Sequence, residues 1–211
     1  YDPRIGHLLI EQWNNYDATA TTGDYVGTAA TSGSAVISTT VGGALTIDSG
    51  AATDNQGFQV QRAKSMFIPA AGKHIWAEFE ISTTFPTLLQ TFVGLGALDT
   101  TFIAAGAVSS ANHMGWSSVT SDGVLLFDCE KASAGTPIAS TTLASATKIK
   151  LGLYVNGVTS ATQYVNDVVG ATTFATANIP VVAVYPTLVC QSEGTSQPVM
   201  TAYTYRVFQL N

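Results

Sequence analysis

The sequence predicts an all-β protein, a sandwich or barrel of antiparallel strands behind an N-terminal arm, and three observations carry that prediction. Short β-prone runs recur along the chain with Gly, Asp, Asn and Pro in the gaps. No segment after residue 20 keeps a long helical period. The run 73–81 alternates strictly, Ile75, Ala77, Phe79 and Ile81 against His74, Trp76, Glu78 and Glu80, which puts the first set on a core face and the second toward solvent or a partner. A length of 211 residues suits one sizeable domain, because all-β units of this size fold as one. The expected organisation is an arm over residues 1–16 and a single body over 17–211.

In the arm, Ile5, Leu8, Leu9, Ile10, Trp13 and Tyr16 crowd into a short amphipathic span. Ile5, Leu8, Leu9 and Trp13 keep helical spacing, while Pro3 and Gly6 work against a helix. These six residues are expected to anchor the arm on a neighbouring subunit, since clustered apolar and aromatic side chains supply most interface energy. The alternative is that the segment packs on its own domain.

From residue 17 to 57 the chain is almost entirely Ala, Thr, Ser, Gly and Val. Its β-branched content argues for short strands at 35–40 and 44–48, turned at Gly42-Gly43, rather than for disorder. Further strands are expected at 91–97, 114–119, 124–130, 148–156, 162–166, 181–191 and 201–210. Asn156-Gly157 is the strongest turn signal and should join 148–156 to 162–166 as a type I′ hairpin. Proline removes a ladder donor, so Pro86 is expected in a connection and Pro186 at a bulge or break. Gly94-Leu95-Gly96 lies in a strand without the helix a phosphate loop needs, and reads as close backbone packing or a bulge.

Composition excludes several functions. Only 10% of the residues are charged, against about 25% in a typical soluble domain, so much of the surface must be Thr, Ser, Ala, Gly and Asn. Such a surface suits strands and permanent protein contacts. Eight scattered Lys and Arg under a net charge of −6 disfavour nucleic acid. No apolar stretch approaches the roughly 20 residues of a membrane-crossing helix, so no membrane partner is expected. The chain opens on Tyr1 without a charged and then apolar leader, and cytoplasmic synthesis is the simpler expectation. Cys129 and Cys190 read as buried free thiols, with one disulfide as the alternative.

The candidates for chemistry are few. Glu78 and Glu80 project from one strand face, as the paired carboxylates of a glycosidase would, but the run around them lacks the wider spacing and intervening acid of glycosidases with this kind of sandwich. A solvated or interface-facing pair is the expectation, and the chain is read as no enzyme. His7, His74 and His113 lack zinc-site spacing, and only the fold can give them a metal role. Asp122-Gly123, Asp128 and Glu130 offer oxygen atoms without the twelve-residue calcium loop, and turn and strand-edge roles explain them better. No cofactor and no metal are expected. Gly-x-Ser-x-Gly is absent. Trp76, Trp116 and Tyr154 can stack on sugar rings if they line a face.

Several stretches together resemble a family of tailed-bacteriophage virion proteins with a concanavalin-like jelly-roll β-sandwich. They are Asn55-Gln56-Gly57-Phe58-Gln59-Val60-Gln61, the run from Phe67-Ile68-Pro69 through His74-Ile75-Trp76-Ala77-Glu78-Phe79, Phe92-Val93-Gly94-Leu95 with Asp99-Thr100-Thr101, the hairpin Gly152-Leu153-Tyr154-Val155-Asn156-Gly157-Val158 with its return Gln163-Tyr164-Val165-Asn166, and Tyr205-Arg206-Val207. The resemblance covers roughly residues 50 to 210 and leaves the arm outside. It implies a capsid decoration or cement protein on the outer surface of the virion, commonly a homotrimer, made in the host cytoplasm and seated over joints between subunits of the major capsid protein. It supplies no catalytic residues. Under it, the arm residues would contact the capsid or a neighbouring subunit. The other reading of the same sandwich is a carbohydrate-binding, lectin-like module, with a glycan as partner.

Overall fold

The computed structural model describes residues 6–13, 16, 23–38, 43–120 and 122–210, with the backbone alone over 171–173. Two antiparallel sheets pack face to face. The larger runs β15 (Val168–Ala175), β14 (Ser160–Val165), β13 (Ile149–Asn156), β6 (Ile75–Thr83), β17 (Val199–Leu210), β4 (Ala44–Asp48), β3 (Ser34–Ser38), with β1 (Gly6–Glu11) also on β17. The smaller runs β12 (Ile138–Thr142), β11 (Val124–Lys131), β10 (Asn112–Ser118), β7 (Leu89–Gly96), β16 (Tyr185–Ser192), β5 (Gly57–Gln61), β2 (Val26–Ala30). A short hairpin, β8 (Ile103–Ala104) and β9 (Ala107–Val108), stands apart. No helix among the described residues is long and apolar enough to cross a membrane.

The alternation in β6 does what period two requires. Ile75, Ala77, Phe79 and Ile81 are buried together with Leu151, Leu153 and Val155 of β13 and Tyr205 and Val207 of β17. Met114 and Trp116, Leu125, Phe127 and Cys129, Val93 and Leu188 meet them from the smaller sheet. Cys129 and Cys190 are both buried free thiols. Burial raises the first and pushes the second up to about 12.

The far faces of the two sheets differ. Phe92 and Val189 point outward from the smaller sheet, yet they are buried beneath Phe102 and Ile103 of the segment that follows β7. Gln59 and Gln61 hold that segment, with Gln59 accepting from the Phe102 amide at 2.9 Å and Gln61 from the Asp99 amide at 2.9 Å. Gly94 and Gly115 lie opposite each other beneath the Phe92 ring, and a Cβ on Gly115 would stand 2.5 Å from the Val93 carbonyl oxygen. The glycine run in 94–96 therefore serves close backbone packing. This cover buries the central strands β7, β10 and β16 of the smaller sheet on both faces and leaves the larger sheet with an open outer face.

Three expectations need correction. Residues 6–11 form a strand, not a helix: β1 pairs with β17 from Gly6↔Leu210 to Glu11↔Tyr205, because the second half of β17 has a free edge beyond β4, which pairs only Val199 to Ala202. Pro186 sits in an unbroken register opposite Leu95. Its carbonyl accepts from the Arg62 amide just past the end of β5, so its missing donor faces a side where the ladder has stopped. The Asn156-Gly157 hairpin forms, with Asn156 opposite Ser160, but its loop has three residues and only Gly157 takes a positive φ, 59°. The expected hairpin at 35–48 forms as β3 and β4, with residues 39–42 outside the described residues. Pro86 opens a 3-10 turn, Pro86–Leu88, in the β6–β7 connection.

Candidate functional site

The open face of the larger sheet collects the polar and aromatic residues that alternate with the core. Trp76 stands opposite Tyr154 of β13 and Phe208 of β17, Glu78 opposite Gly152 and Arg206, and Glu80 opposite Lys150 and Thr204. The Trp76 ring lies 5.8 Å from that of Tyr154 and 5.0 Å from that of Tyr164. His74 stacks on Tyr154 at 5.9 Å, and its Nδ1 is 2.8 Å from the Tyr154 hydroxyl. A groove of about 340 Å³ runs between His74, Trp76, Tyr154, Phe208 and Leu210. Gly152, with no side chain, opens a second depression of about 140 Å³ between Trp76, Glu78, Lys150 and Tyr164.

The charges on this face are paired. Glu78 meets Arg206 at 2.7 Å, Glu80 meets Lys148 at 2.9 Å, and Lys150 meets Asp167 at 3.0 Å. The hydrogen bond to Asp167, then the Glu78 charge, hold the Lys150 ammonium above its ordinary range. Lys148 also lies 3.7 Å above the Tyr203 ring. Glu78 and Glu80 are each engaged by a cation, which holds both side chains in place.

The six arm residues divide. Ile5 lies outside the described residues. Leu8 and Ile10 stand opposite Phe208 and Arg206 and so extend the aromatic face, Ile10 being 56% exposed. Leu9 and Trp13 enter the core of their own domain, and Tyr16 packs against it. Trp13, fully buried, lies 5.6 Å from Tyr25 and 5.4 Å from Tyr205. Beside it, Glu11 accepts from the Trp13 amide at 2.8 Å, from the Tyr25 hydroxyl at 2.5 Å and from Arg62 at 2.5 Å. Burial is the main cause that raises the phenols of Tyr25 and Tyr205.

Of the sugar-stacking candidates, Trp76 and Tyr154 are on the open face. Trp116 is in the core, fully buried, donating to Ser140 Oγ at 3.1 Å. Tyr164, Arg206 and Phe208 join the face as well, and the alternation of Tyr205 and Val207 with Arg206 and Phe208 is its signal in the sequence. His7 is exposed and 5.3 Å from Phe67. Asp122 accepts from Thr120 and the Val124 amide, and these bonds, the Val124 one first, lower its pKa.

A second polar cluster lies on the covered side of the smaller sheet. His113 of β10 is opposite Glu130 of β11, and Asp128 is two residues before Glu130 on the same face. His113 is fully buried, edge-on to Phe92 and Phe102, and its Nε2 is 3.7 Å from Asp128. Burial is the largest cause that raises Glu130, with His113 opposing it and Asp128 adding to it. Fifteen residues of sequence separate His113 from Asp128, and only the β10–β11 pairing brings them together.

No protein-family model matches the sequence, nor does any curated protein sequence. The chain is similar in structure to a glycoside hydrolase family 16 endo-glucanase from Bacteroides ovatus, with a TM-score of 0.65 at 11% identity over 94% of this chain and 99% of that one. Peanut lectin gives 0.60 at 11% identity, over 97% and 99% of the two chains. A protein of unknown function from Shewanella oneidensis MR-1 gives 0.64 at 12%, over 98% and 87%. Identities this low speak to the fold alone: the chain is a concanavalin-like jelly-roll β-sandwich.

Proposed function

We propose that this chain is a virion structural protein, a capsid decoration or cement protein that binds the outer shell and bridges subunits of the major capsid protein, itself a homotrimer. One observation carries the reading beyond the sequence resemblance. Four of the strands that end the sheets, β15, β3, β12 and β2, contain no Lys, Arg, Asp, Glu or Pro, the residues with which monomeric sandwiches block edge-to-edge pairing; β1, which also ends the larger sheet, carries Glu11. Val36 and Ile37 on β3 and Val168 and Val169 on β15 are exposed. Unblocked apolar edges suit a chain built to meet other chains.

Light scattering of the pure chain is expected to give a mass of three copies, and electron microscopy of whole particles to place it on the outer shell. Val36→Lys together with Val168→Lys is expected to lower shell occupancy at least about tenfold with little loss of stability, since a rim charge left opposite an apolar partner costs more than about 1.4 kcal/mol. A monomer whose shell binding survives both substitutions refutes the reading.

The aromatic groove favours a second reading, a glycan-binding module. Trp76 and Tyr154 present ring surface beside His74 and the Glu78–Arg206 pair, a combination that stacks on a pyranose ring and hydrogen-bonds its hydroxyls. A glycan array separates the two. Saturable binding to one sugar class, lost in Trp76→Ala, supports the module; silence across the array removes it.

A further inference from the structure

We propose that His113, Asp128 and Glu130 form a binding site for one first-row divalent cation, Zn²⁺ or Mn²⁺, completed by water. One ligand atom from each residue falls within 4.8 Å of the other two, so modest side-chain rotations bring them to the roughly 3 Å mutual spacing of donors around an ion held at about 2.0–2.2 Å. The fold has also fixed the imidazole for the task. His113 Nδ1 is 2.8 Å from the Ser110 carbonyl oxygen, which can only accept, so Nδ1 carries the hydrogen and Nε2 is turned toward the carboxylates. A ligating histidine is oriented by this kind of outer hydrogen bond.

The cluster is only partly satisfied from within, by a side-chain hydrogen bond between Asp128 and Glu130. His113 Nε2 and Asp128 Oδ1 are buried without a hydrogen-bond partner among the described residues, and Asp128 is only 4% exposed. At 3.7 Å, Nε2 and Asp128 are beyond hydrogen-bond reach. Glu11, Glu78 and Glu80 each meet an Arg or Lys, whereas the half-buried Asp48, Asp99 and Glu193 have no such ion pair among the described residues. Asp128 and Glu130 likewise meet no Arg or Lys among the described residues. Orphaned buried polar atoms are costly, and a cation that all three residues coordinate removes that cost. Glu130, half-buried, forms the rim through which the ion and its water enter. Imidazole nitrogen with two carboxylates selects borderline first-row ions over calcium, which prefers six or more oxygens.

The full chain, stripped with chelator, is titrated by calorimetry with Zn²⁺ and separately with Mn²⁺. One ion per chain is expected, with affinity falling at least about a hundredfold in Asp128→Asn and in Glu130→Gln, and with no displacement by a tenfold excess of Ca²⁺. Folding of both variants is checked by circular dichroism. A readout on the unaltered chain stands beside them: the long-range ¹H–¹⁵N signal of His113 Nε2 is expected to shift with Zn²⁺ and to broaden away with Mn²⁺. Absence of saturable binding by either ion overturns the proposal, as does undiminished affinity in both folded variants, an unmoved His113 signal, or tighter binding of Ca²⁺.

Discussion

Trp13 illustrates how a side chain read as an interface anchor becomes a core residue. Its ring is enclosed by Tyr25, Tyr205 and Tyr16, and the carboxylate of Glu11 holds both its backbone amide and the Tyr25 hydroxyl. Tyr25 and Tyr205 keep their hydroxyls 3.0 Å apart inside the same enclosure. Their phenols, and the thiols of Cys129 and Cys190, are raised by burial. Such groups hold their protons in the folded chain at a pH where the unfolded chain has released them. Their contribution to stability is therefore complete below about pH 9, the ordinary thiol value, and is lost as pH climbs through the folded values, about 12 for Cys190. The urea midpoint is expected to fall between about pH 8 and pH 11. A midpoint constant across that range would contradict the burial of these groups. At pH 8 neither thiol should react with a disulfide reagent until the chain unfolds.

At the level of elements, legibility followed the two faces of each strand. β6 was readable because one face is buried and the other is open, so apolar and polar residues alternate. β2, β12 and β15 leave little trace in the sequence because edge strands of Ala, Thr, Ser and Gly show little contrast between faces. β7 and β10 are covered on both sides, and their small residues mark contact instead. The facing Gly94 and Gly115 let the two strands carry the Phe92 ring across them. Gly115→Ala puts a methyl group 2.5 Å from the Val93 carbonyl oxygen and 2.8 Å from Gly94 Cα, and is expected to destabilise the fold by about 1–3 kcal/mol. Chemical denaturation measures this, and an unchanged midpoint would show that the strands can separate without cost. β1 is hard to read because Ile5, Leu8, Leu9 and Trp13 fit a helical stripe that Pro3 and Gly6 oppose, whereas the free edge of β17 offers the backbone hydrogen bonds that draw residues 6–11 into the sheet.

For the whole molecule, the consequence is that residues 6–13 and Tyr16 are part of the body. Deleting residues 1–16 removes β1, the Glu11 carboxylate and the Trp13 ring together, and is expected to lower the thermal midpoint by well over 5 °C, since loss of a buried aromatic ring alone costs about 3–5 kcal/mol. A deletion that melts like the intact chain would restore the free-arm reading. Loss of shell binding after that deletion would therefore report on folding as much as on contact, and Ile10→Lys, on the exposed face, is the cleaner probe of a docking role.

The sequence alone determined that the chain is built of antiparallel strands as a sandwich or barrel, which face of β6 enters the core, that a hairpin turns at Asn156-Gly157, and that its surface is poor in charge. Those properties reside in alternation, turn residues and composition, all of which are local. Tertiary structure decided which far face is covered, where the first strand docks, that Trp116 is core while Trp76 is surface, and that His113, Asp128 and Glu130 meet. Each of these depends on pairings between distant segments, such as Gly6 with Leu210, and a period of two names the faces of a strand without naming its neighbours.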